Sequence, residues 1–343
     1  MAKRVANGKA LRLALLGAET LLGRELEEVL KGRGIGAVIT TYAASGEGSF
    51  GEQDGEAIFV RPLEAESIEG DQAILIAGSP EGALKAYHLA KHAGGHPLLI
   101  DCNGHLEHQP EARIVGGLSD EPDARSGWLL VIAHPAAIAL ALVLERLARY
   151  REIRHSIVHI FEPASERGKR GVTELHQQTT SLLSFKALDK NVFDAQLGFN
   201  LLSQYGEEAP AKLSAIEERI DRNLATLLSR AIGAAPIPMP SVRLIQAPVF
   251  HGYSMSLWVE FGSGIDATEL GEALASAHIE VRGPNEEAPD SVGAATQSGL
   301  IAGDIRLDRN HARAAWFWIV ADNLRLTADA AADLVTTLEV KQS

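Results

Sequence analysis

The sequence predicts a two-domain α/β protein, in which a Rossmann-like nucleotide-binding domain is followed by an α+β domain with a mixed, largely antiparallel sheet. The chain has 343 residues, of which 46% are hydrophobic, and this is enough to build two domains. Short apolar runs alternate with helical stretches over the first third, as a parallel sheet requires. From about residue 155, apolar and polar residues alternate without regular intervening helices, which favours antiparallel strands.

The elements of the first part follow the order of a Rossmann domain. Each predicted strand is a short apolar run, and each predicted helix repeats its apolar residues at helical spacing. The predicted strands cover 11–17, 37–43, 57–61, 73–77 and 97–101, and the predicted helices cover 21–31 and 81–93.

The second part contains fewer but longer strand patterns. A polar stretch from 166 to 232 carries no assigned element, and APIPMP at 235–240 is predicted to be an extended linker. The predicted strands cover IRHSIVHIFE at 153–162, then 242–250, 254–261 and 314–320, and a terminal helix is predicted over 324–339.

Charge and cysteine content exclude several classes of protein. The formal net charge of -13 has the wrong sign for binding nucleic-acid phosphates, and no basic stripe is present. No apolar run reaches the roughly 20 residues of a membrane helix, and the first apolar run is a strand rather than a signal peptide. The single cysteine, Cys102, excludes an internal disulfide and a multi-thiolate metal site. We therefore expect a cytoplasmic protein that binds neither nucleic acid nor membrane.

Three histidines have a spacing that could serve zinc. His88 and His92 would share one face of a helix, and His96 follows four residues later. The pair Gly94-Gly95 is expected to end the helix before His96, and no HExxH pattern is present. The prediction is that the protein has no metal site.

Seven segments, in order, resemble motifs of the aspartate-semialdehyde dehydrogenase family. They are GAETLLGREL at 17–26, ILIAGSPEGA at 74–83, LIDCNGHLE at 99–107, FEPASERGKRG at 161–171, LGFNLLSQ at 197–204, QAPVFHGYS at 246–254 and VADNLRLTADAA at 320–331. The resemblance is greatest to the catalytically degenerate Usg-type paralogues. It implies a nucleotide-binding domain of residues 1–133 plus 322–343, a substrate and dimerisation domain of residues 134–321, and a homodimer built through the second domain.

The resemblance also locates the family's catalytic positions. The family pattern I-I-A-N-P-N-C-S-T, which carries the nucleophilic cysteine, corresponds to VIAHPAAIA at 131–139. The cysteine position is therefore Ala137 and the asparagine before it is Ala136, so no covalent intermediate can form on that side chain. By the same resemblance Tyr253 replaces the general-base histidine and Glu162 replaces the orienting glutamine.

Two anion-binding arginines of the family are also replaced. Gln246 stands for the arginine of R-V-P-V, and Glu107 stands for the arginine of S-S-A-F-R. A carboxylate at the second position repels phosphate where a guanidinium would bind it through two hydrogen bonds. Phosphate is therefore not expected to bind in the family's pose.

The nucleotide loop is incomplete. Gly17 and Gly23 fit a dinucleotide-binding turn, but Thr20 takes the place of the middle glycine, which lets the backbone approach pyrophosphate. Glu19 places a carboxylate where it could occupy the anion site at the helix N-terminus. The second strand ends TTYAASGEG, without an arginine for a 2′-phosphate. By resemblance the cofactor is NAD or NADP, and its binding is expected to be weak or absent, with NAD the easier of the two.

Three interpretations of function follow. The first is a catalytically silent paralogue that binds a ligand or acts as a scaffold. The second is an oxidoreductase with a rebuilt site, in which Cys102 works with His105 or His251 on a different aldehyde with NAD(P), although a small buried residue before the Asn103-Gly104 turn is the plainer interpretation of Cys102. The third is a heteromeric partner that regulates an active paralogue.

Overall fold

The chain folds into two compact units. The first takes in the residues up to Ile132 together with the end of the chain from Thr327, and the second runs from Ala133 to Leu326. A computed structural model describes residues 11–53, 56–93, 97–116, 127–230 and 236–342.

The first unit is built on a six-stranded parallel sheet with the strand order β2-β1-β5-β6-β8-β7. Its elements are β1 Leu11–Leu16, α1 Leu21–Gly32, β2 Ala37–Tyr42, β3 Ser49–Gln53, β4 Glu56–Val60, β5 Ala73–Ile76, α2 Pro80–His92, β6 Leu98–Asp101, β7 Ala112–Val115 and β8 Leu129–Ile132. Every residue of β1 except Arg12 is buried, as expected for a strand covered on both faces. The Rossmann-like prediction is confirmed.

One predicted strand has a different place in this unit. The strand predicted at 57–61 corresponds to β4, which pairs with β3 in a separate antiparallel hairpin and not in the parallel sheet. The pattern at 57–61 places this strand in the Rossmann-like order, and its hairpin partner β3 is not predicted because the run SFGEQ has little apolar periodicity.

The second unit contains a six-stranded mixed sheet with the order β10-β9-β11-β14-β13-β12. The remaining elements of the chain are α3 Pro135–Tyr150, β9 Ile153–Glu162, α4 Gly168–Leu183, α5 Leu213–Leu228, β10 Ser241–Gln246, β11 Tyr253–Phe261, α6 Ala267–Leu274, β12 Ile279–Val281, β13 Leu300–Leu307, β14 Ala314–Ala321 and α7 Asn323–Gln342. The β10–β9 and β12–β13 pairs are parallel, and the other three pairs are antiparallel. The prediction of a mixed, largely antiparallel sheet is therefore confirmed.

The polar stretch 166–232, for which the sequence predicts no element, contains the helices α4 and α5. The buried face of α4 includes two polar residues. Glu174 accepts hydrogen bonds from the N–H groups of Val192 and Phe193, and Gln178 accepts from two further N–H groups of the following loop. Because this helix buries polar side chains that hold a loop, it lacks the apolar stripe by which helices are recognised.

The terminal helix α7 belongs to both units, and its later part lies in the first. Arg33, at the end of α1, donates to Asp329 over 2.8 Å and also pairs with Asp333. The Asp329 side chain is 3% exposed and the Arg33 side chain is 32% exposed. These ion pairs join α7 to α1 within the first unit.

Some features are not found in the described ranges. No helix there has the length and apolarity that a bilayer crossing requires. No group of three or more His, Cys, Asp or Glu residues is placed there to hold a metal ion. Gly94, Gly95 and His96 lie outside those ranges, as does Ala235, the first residue of the predicted linker.

Candidate functional site

Ala137, which the resemblance aligns with the family's nucleophile, is the third residue of α3. The helix begins at Pro135, where a missing N–H is tolerated. His134 caps the helix, since its Nδ1 accepts from the Ala136 N–H over 3.3 Å and its carbonyl accepts from the N–H groups of Ala137 and Ile138. Ala137 is fully buried. The first turn of α3 therefore presents a methyl group and N–H groups that are already bonded.

His134 is fixed from both sides. Its backbone N–H donates to Asn223 Oδ1 over 2.7 Å, and its Nε2 lies 3.9 Å from Glu166 Oε2. Burial lowers the pKa of His134 well below its ordinary value, and the positive charges of Arg219 and Arg167 act in the same direction. The imidazole is therefore neutral and serves as a helix cap.

Tyr253 begins β11 and is fully buried. Its ring centroid lies 6.0 Å from that of His134, so the fold brings Tyr253 close to the start of α3. The Tyr253 hydroxyl has no hydrogen-bond partner among the described residues. Burial raises the pKa of this phenol, and a protonated phenol cannot accept a proton as a histidine base would.

Glu162, the last residue of β9, forms a buried ion pair with Arg167. Arg167 ends the short 3-10 helix Ala164–Arg167, and its Nη2 donates to Glu162 Oε1 over 2.8 Å. Glu162 Oε2 and Arg167 Nε have no hydrogen-bond partner in the described part of the chain. Burial raises the pKa of Glu162, while the positive charge of Arg167 acts in the opposite direction. An ion pair thus stands at the position that the resemblance aligns with the family's glutamine.

Gln246 is held beside Glu162 by the strand register. The two residues are partners in the parallel β9–β10 pairing, and Gln246 Nε2 donates to the carbonyls of Glu162 and Ala247 over 2.8 and 3.1 Å. Its Oε1 accepts from the Tyr205 hydroxyl over 2.6 Å. Both donors and the acceptor are in use, so Gln246 stabilises the protein interior instead of presenting an amide to a ligand.

His251 is not aligned with Tyr253 by strand periodicity. An extended backbone would have placed the two on one face, but Gly252 between them has a φ of +83°. The Gly252 N–H donates to Asn323 Oδ1 over 3.2 Å, which holds this turn. His251 is half-buried.

Cys102 and Glu107 lie in the first unit, in the turn after β6. The buried carboxylate of Asp101 organises this turn by accepting from the N–H groups of Asn103, Gly104 and Leu106. Cys102 is 6% exposed, and burial, followed by the charge of Asp101, raises the pKa of its thiol. Glu107 is half-buried. The thiol therefore stays protonated at neutral pH.

The nucleotide loop is closed by its own side chains. Gly17 has a φ of +87°, and a Cβ on Gly23 would lie 2.0 Å from the Gly17 carbonyl oxygen, so both glycines are required by packing. Thr20 caps α1: its hydroxyl accepts from the Gly23 N–H over 2.9 Å and donates to the Gly17 carbonyl over 2.8 Å. The loop thus keeps its turn and fills the place of the middle glycine.

The carboxylate of Glu19 does not occupy the anion site at the N-terminus of α1, which is where the sequence predicted it. Its Oε1 accepts from the Ala44 N–H over 2.7 Å, so the carboxylate is held by the chain that follows β2 and not by the N-terminus of α1. Glu19 therefore bridges the turn after β1 and the turn after β2. In Rossmann domains a ribose lies between these two turns.

The sequence did not identify three residues of the second unit as parts of the candidate site, namely Arg167, Tyr205 and His134. For Arg167 a signal was present, because Glu166 and Arg167 stand where the resembling motif has two small residues. The contact of Tyr205 with Gln246 joins residues that are 41 positions apart. No local pattern could have indicated it.

The chain is similar to known proteins along almost its whole length. The family profile described as semialdehyde dehydrogenase, dimerisation domain, matches residues 144–326. A USG-1 protein homolog of Pseudomonas aeruginosa is 30% identical over 96% of this chain and 98% of its own. An aspartate-semialdehyde dehydrogenase of Rickettsia bellii is 28% identical over 92% of this chain and 94% of its own. The solved structure of a probable aspartate-semialdehyde dehydrogenase from Pseudomonas aeruginosa superposes with a TM-score of 0.80 at 28% identity, over 97% of this chain and 99% of the other.

Proposed function

Because the chain belongs to the aspartate-semialdehyde dehydrogenase family, we propose that it is a non-catalytic member, which keeps the family fold and acts by binding or as a scaffold. The observation that carries the proposal is the methyl group of Ala137, buried at the start of α3. An aldehyde carbon has no nucleophile to bond with there, and loss of a nucleophile costs several orders of magnitude in rate.

The neighbouring side chains support the same conclusion. Oxidation of the aldehyde also needs a base, and the buried phenol of Tyr253 and the neutral cap His134 do not provide one. The Glu162–Arg167 pair places a carboxylate and a guanidinium where the family has an uncharged amide. Each charge stabilises the other, so the pair has the character of a structural element.

A rebuilt active site at Cys102 is less well supported. The thiolate is the reactive form of cysteine, and this thiol is buried with a raised pKa. Its Sγ lies 3.7 Å from the Ile100 carbonyl oxygen. A nucleophile that is inaccessible and protonated does not replace the one missing at position 137.

We expect NAD or NADP to bind weakly or not at all. Thr20 uses its hydroxyl inside the loop and Glu19 accepts from Ala44 after β2, which are the places where pyrophosphate and ribose would be bound in a Rossmann domain. NADP should bind less well than NAD, because its 2′-phosphate would approach the carboxylate of Glu19. The nucleotide fold then serves as scaffold.

The match to a dimerisation domain supports a homodimer formed through the second unit. The same surface would suit a heteromeric complex with an active family member, in which this chain regulates its partner. Size-exclusion chromatography with light scattering distinguishes monomer from dimer. Co-purification with an active family member tests the heteromeric alternative.

The direct test is turnover. Purified protein is incubated with aspartate semialdehyde, phosphate and NADP, with an active family member as positive control. We expect no NADPH formation above the protein-free rate. Turnover within tenfold of the active enzyme contradicts the proposal, and its loss in Cys102→Ser would assign the chemistry to Cys102.

A further inference from the structure

The mixed sheet of the second unit has one buried side and one open side. In β11 fully buried residues alternate with half-buried ones along the whole strand, because successive side chains of a strand point to opposite sides of the sheet. The helices α3, α5 and α6 lie against β9, β10 and β13, which accounts for the buried side. On the other side, Ile157 of β9 is 43% exposed and Trp316 of β14 is 38% exposed.

Two adjacent rows of side chains form the centre of this open side. Residues that are directly opposed in antiparallel strands point to the same side of a sheet, and β11 lies between β9 and β14. Each row therefore takes one residue from each of these strands. One row consists of Ile157, Trp258 and Trp316, and the other of His159, Ser256 and Trp318. These six residues define the open face.

The open face concentrates the tryptophans of the chain, since it holds Trp258, Trp316 and Trp318 out of four in the sequence. Trp316 is exposed, and the other two are half-buried. Tryptophan is enriched at the centre of protein interfaces, where it contributes much of the binding energy. Exposed apolar side chains that lie side by side indicate a protein partner.

The indole rings of the open face are held in place before any partner binds. The Nε1 groups of Trp258 and Trp316 both donate to Asp308 Oδ2 over 2.9 Å, and Trp318 Nε1 donates to the Pro289 carbonyl over 3.0 Å. Rings that are already ordered lose little conformational entropy on binding. Their N–H groups are also satisfied within the chain, so a partner can cover the rings without leaving a buried donor unpaired.

The open face avoids the charge that separates two copies of this chain. Each copy carries a formal net charge of -13, so two copies repel one another wherever unpaired carboxylates meet. None of the six residues of the open face is acidic. The next residue of β11 on this side, Glu260, pairs with His155 at 3.1 Å and with Arg313 at 3.4 Å. Two copies can therefore meet through the open face with little repulsion.

The family profile indicates the kind of partner. The profile of a dimerisation domain matches residues 144–326, a range that contains the whole open face. In a twofold dimer the same patch of both copies is in contact, so the patch has to complement itself. Ser256 lies between two large rings, those of His159 and Trp318. Large side chains of a second copy can pack over this small residue.

A second apolar surface lies within the same range. Leu183, Phe185 and Phe199 are exposed at the end of α4 and in the loop that follows it. These side chains have no polar atom through which the chain could fix them, whereas the indoles of the open face are fixed by hydrogen bonds. The open face is therefore the better ordered of the two surfaces, and the other serves as a comparison in the test.

We propose that a second copy of this chain docks on the open face through a twofold axis, with the rings of Trp258 and Trp316 at the centre of the contact. The inference rests on the proposed homodimer and names its contact surface.

The test compares the wild type with Trp316→Glu and Ile157→Glu by sedimentation equilibrium. Each change adds a carboxylate to the open face, and twofold symmetry places it in the contact twice. We expect a wild-type dimer, and in either variant a rise of about a hundredfold or more in the dimer's Kd. Val38→Glu alters an exposed aliphatic residue on β2 of the first unit and should leave the Kd unchanged.

Tryptophan emission provides a second measurement on the same protein. Dilution of the wild type below its Kd should shift the emission to longer wavelength, because the rings of the open face regain contact with water. Phe199→Glu, on the other apolar surface, should leave both this shift and the Kd unchanged. Circular dichroism shows whether each variant folds, and Ile157→Glu, which removes no side-chain hydrogen bond, serves if Trp316→Glu does not.

The outcomes separate the contact surface from the homodimer itself. A dimer that persists in Ile157→Glu and in Trp316→Glu would overturn the inference and leave the homodimer standing, and dissociation in Phe199→Glu would then assign the contact to the other surface. A wild type that stays monomeric at micromolar concentrations would contradict the homodimer and the inference together. Dissociation in Val38→Glu would also overturn the inference, because the contact would then involve the first unit.

Discussion

Arg167→Met removes the cation that faces the buried carboxylate of Glu162 and keeps an unbranched apolar stem in its place. In the wild type the Arg167 Nη2 lies 2.8 Å from Glu162 Oε1, and Glu162 is fully buried. The variant must therefore either bury an unpaired carboxylate or protonate it. Truncating one partner of a buried ion pair costs about 3–5 kcal/mol.

Part of this cost depends on pH. Burial raises the pKa of Glu162 to about 7 against the opposing charge of Arg167, so removing Arg167 raises that pKa further. In both proteins a raised carboxyl pKa makes the folded state more stable at low pH and less stable as the pH rises through the folded pKa. Above the wild-type pKa of Glu162, each further pH unit lowers the variant's free energy of unfolding by about 1.4 kcal/mol relative to the wild type, up to the variant's own pKa. Below the wild-type pKa, Glu162 is protonated in both folded proteins, so the pH-dependent part of the stability difference between them vanishes.

Urea denaturation of both proteins at about pH 9 and about pH 5.5 measures the effect. The variant should lose about 3–5 kcal/mol of unfolding free energy at the higher pH. At the lower pH the loss should be smaller by at least about 1.4 kcal/mol. The double variant Glu162→Gln/Arg167→Met should regain most of the stability and show no such dependence. Arg306→Met, which breaks the exposed pair with Asp304, should change stability by less than about 1 kcal/mol.

A loss of equal size at both pH values would refute this reasoning, because it would mean that the charge of Glu162 is not what Arg167 stabilises. A loss below about 1 kcal/mol at the higher pH would show that the pair is solvated as surface pairs are.

Three further outcomes are expected. Millimolar NADP should shift the melting temperature little, and less than NAD does. A nucleotide present at about 100 times its Kd would add about 2.7 kcal/mol to the free energy of unfolding. A shift of several degrees with micromolar NADP would contradict the account of Thr20 and Glu19. His134→Asn keeps a capping side chain but removes a buried imidazole of lowered pKa. The wild type should therefore lose stability relative to this variant as the pH falls below about 6.5, and parallel stability curves over that range would count against a buried neutral histidine. Cys102 should react slowly with iodoacetamide in the native protein and rapidly in urea; equally fast native labelling would show that the thiol is accessible.

The order of elements in the first unit could be predicted because each buried strand is a short apolar run. In β1 every residue but Arg12 is buried, and the run LRLALL shows this directly. The sheet of the second unit was predictable from alternation, as in Tyr253–Phe261, where buried and half-buried residues alternate without interruption. Helix α4 escaped prediction because Glu174 and Gln178 on its buried face are polar.

The residues of the candidate site are predicted from motifs, but the contacts of their side chains could not be. Glu19 was expected at the N-terminus of α1, yet the Ala44 N–H, 25 positions away, holds it. Similarly, the contacts of Gln246 depend on the register of β10 against β9 and on Tyr205. Such pairings arise from tertiary structure, which a single sequence does not encode in any local pattern.

The most direct test of the proposal that this chain is non-catalytic is the behaviour of Ala137→Cys. Position 137 is fully buried, and the N–H groups of residues 136 to 138 are already bonded to His134, so little is left to lower the pKa of a new thiol. Tyr253 cannot take its proton. We therefore predict slow alkylation at neutral pH and no phosphate-dependent reduction of NADP by this variant, measured beside the wild type and an active family member. Rapid, pH-independent alkylation together with measurable dehydrogenase turnover would contradict the account, because the site would then still be built for aldehyde chemistry.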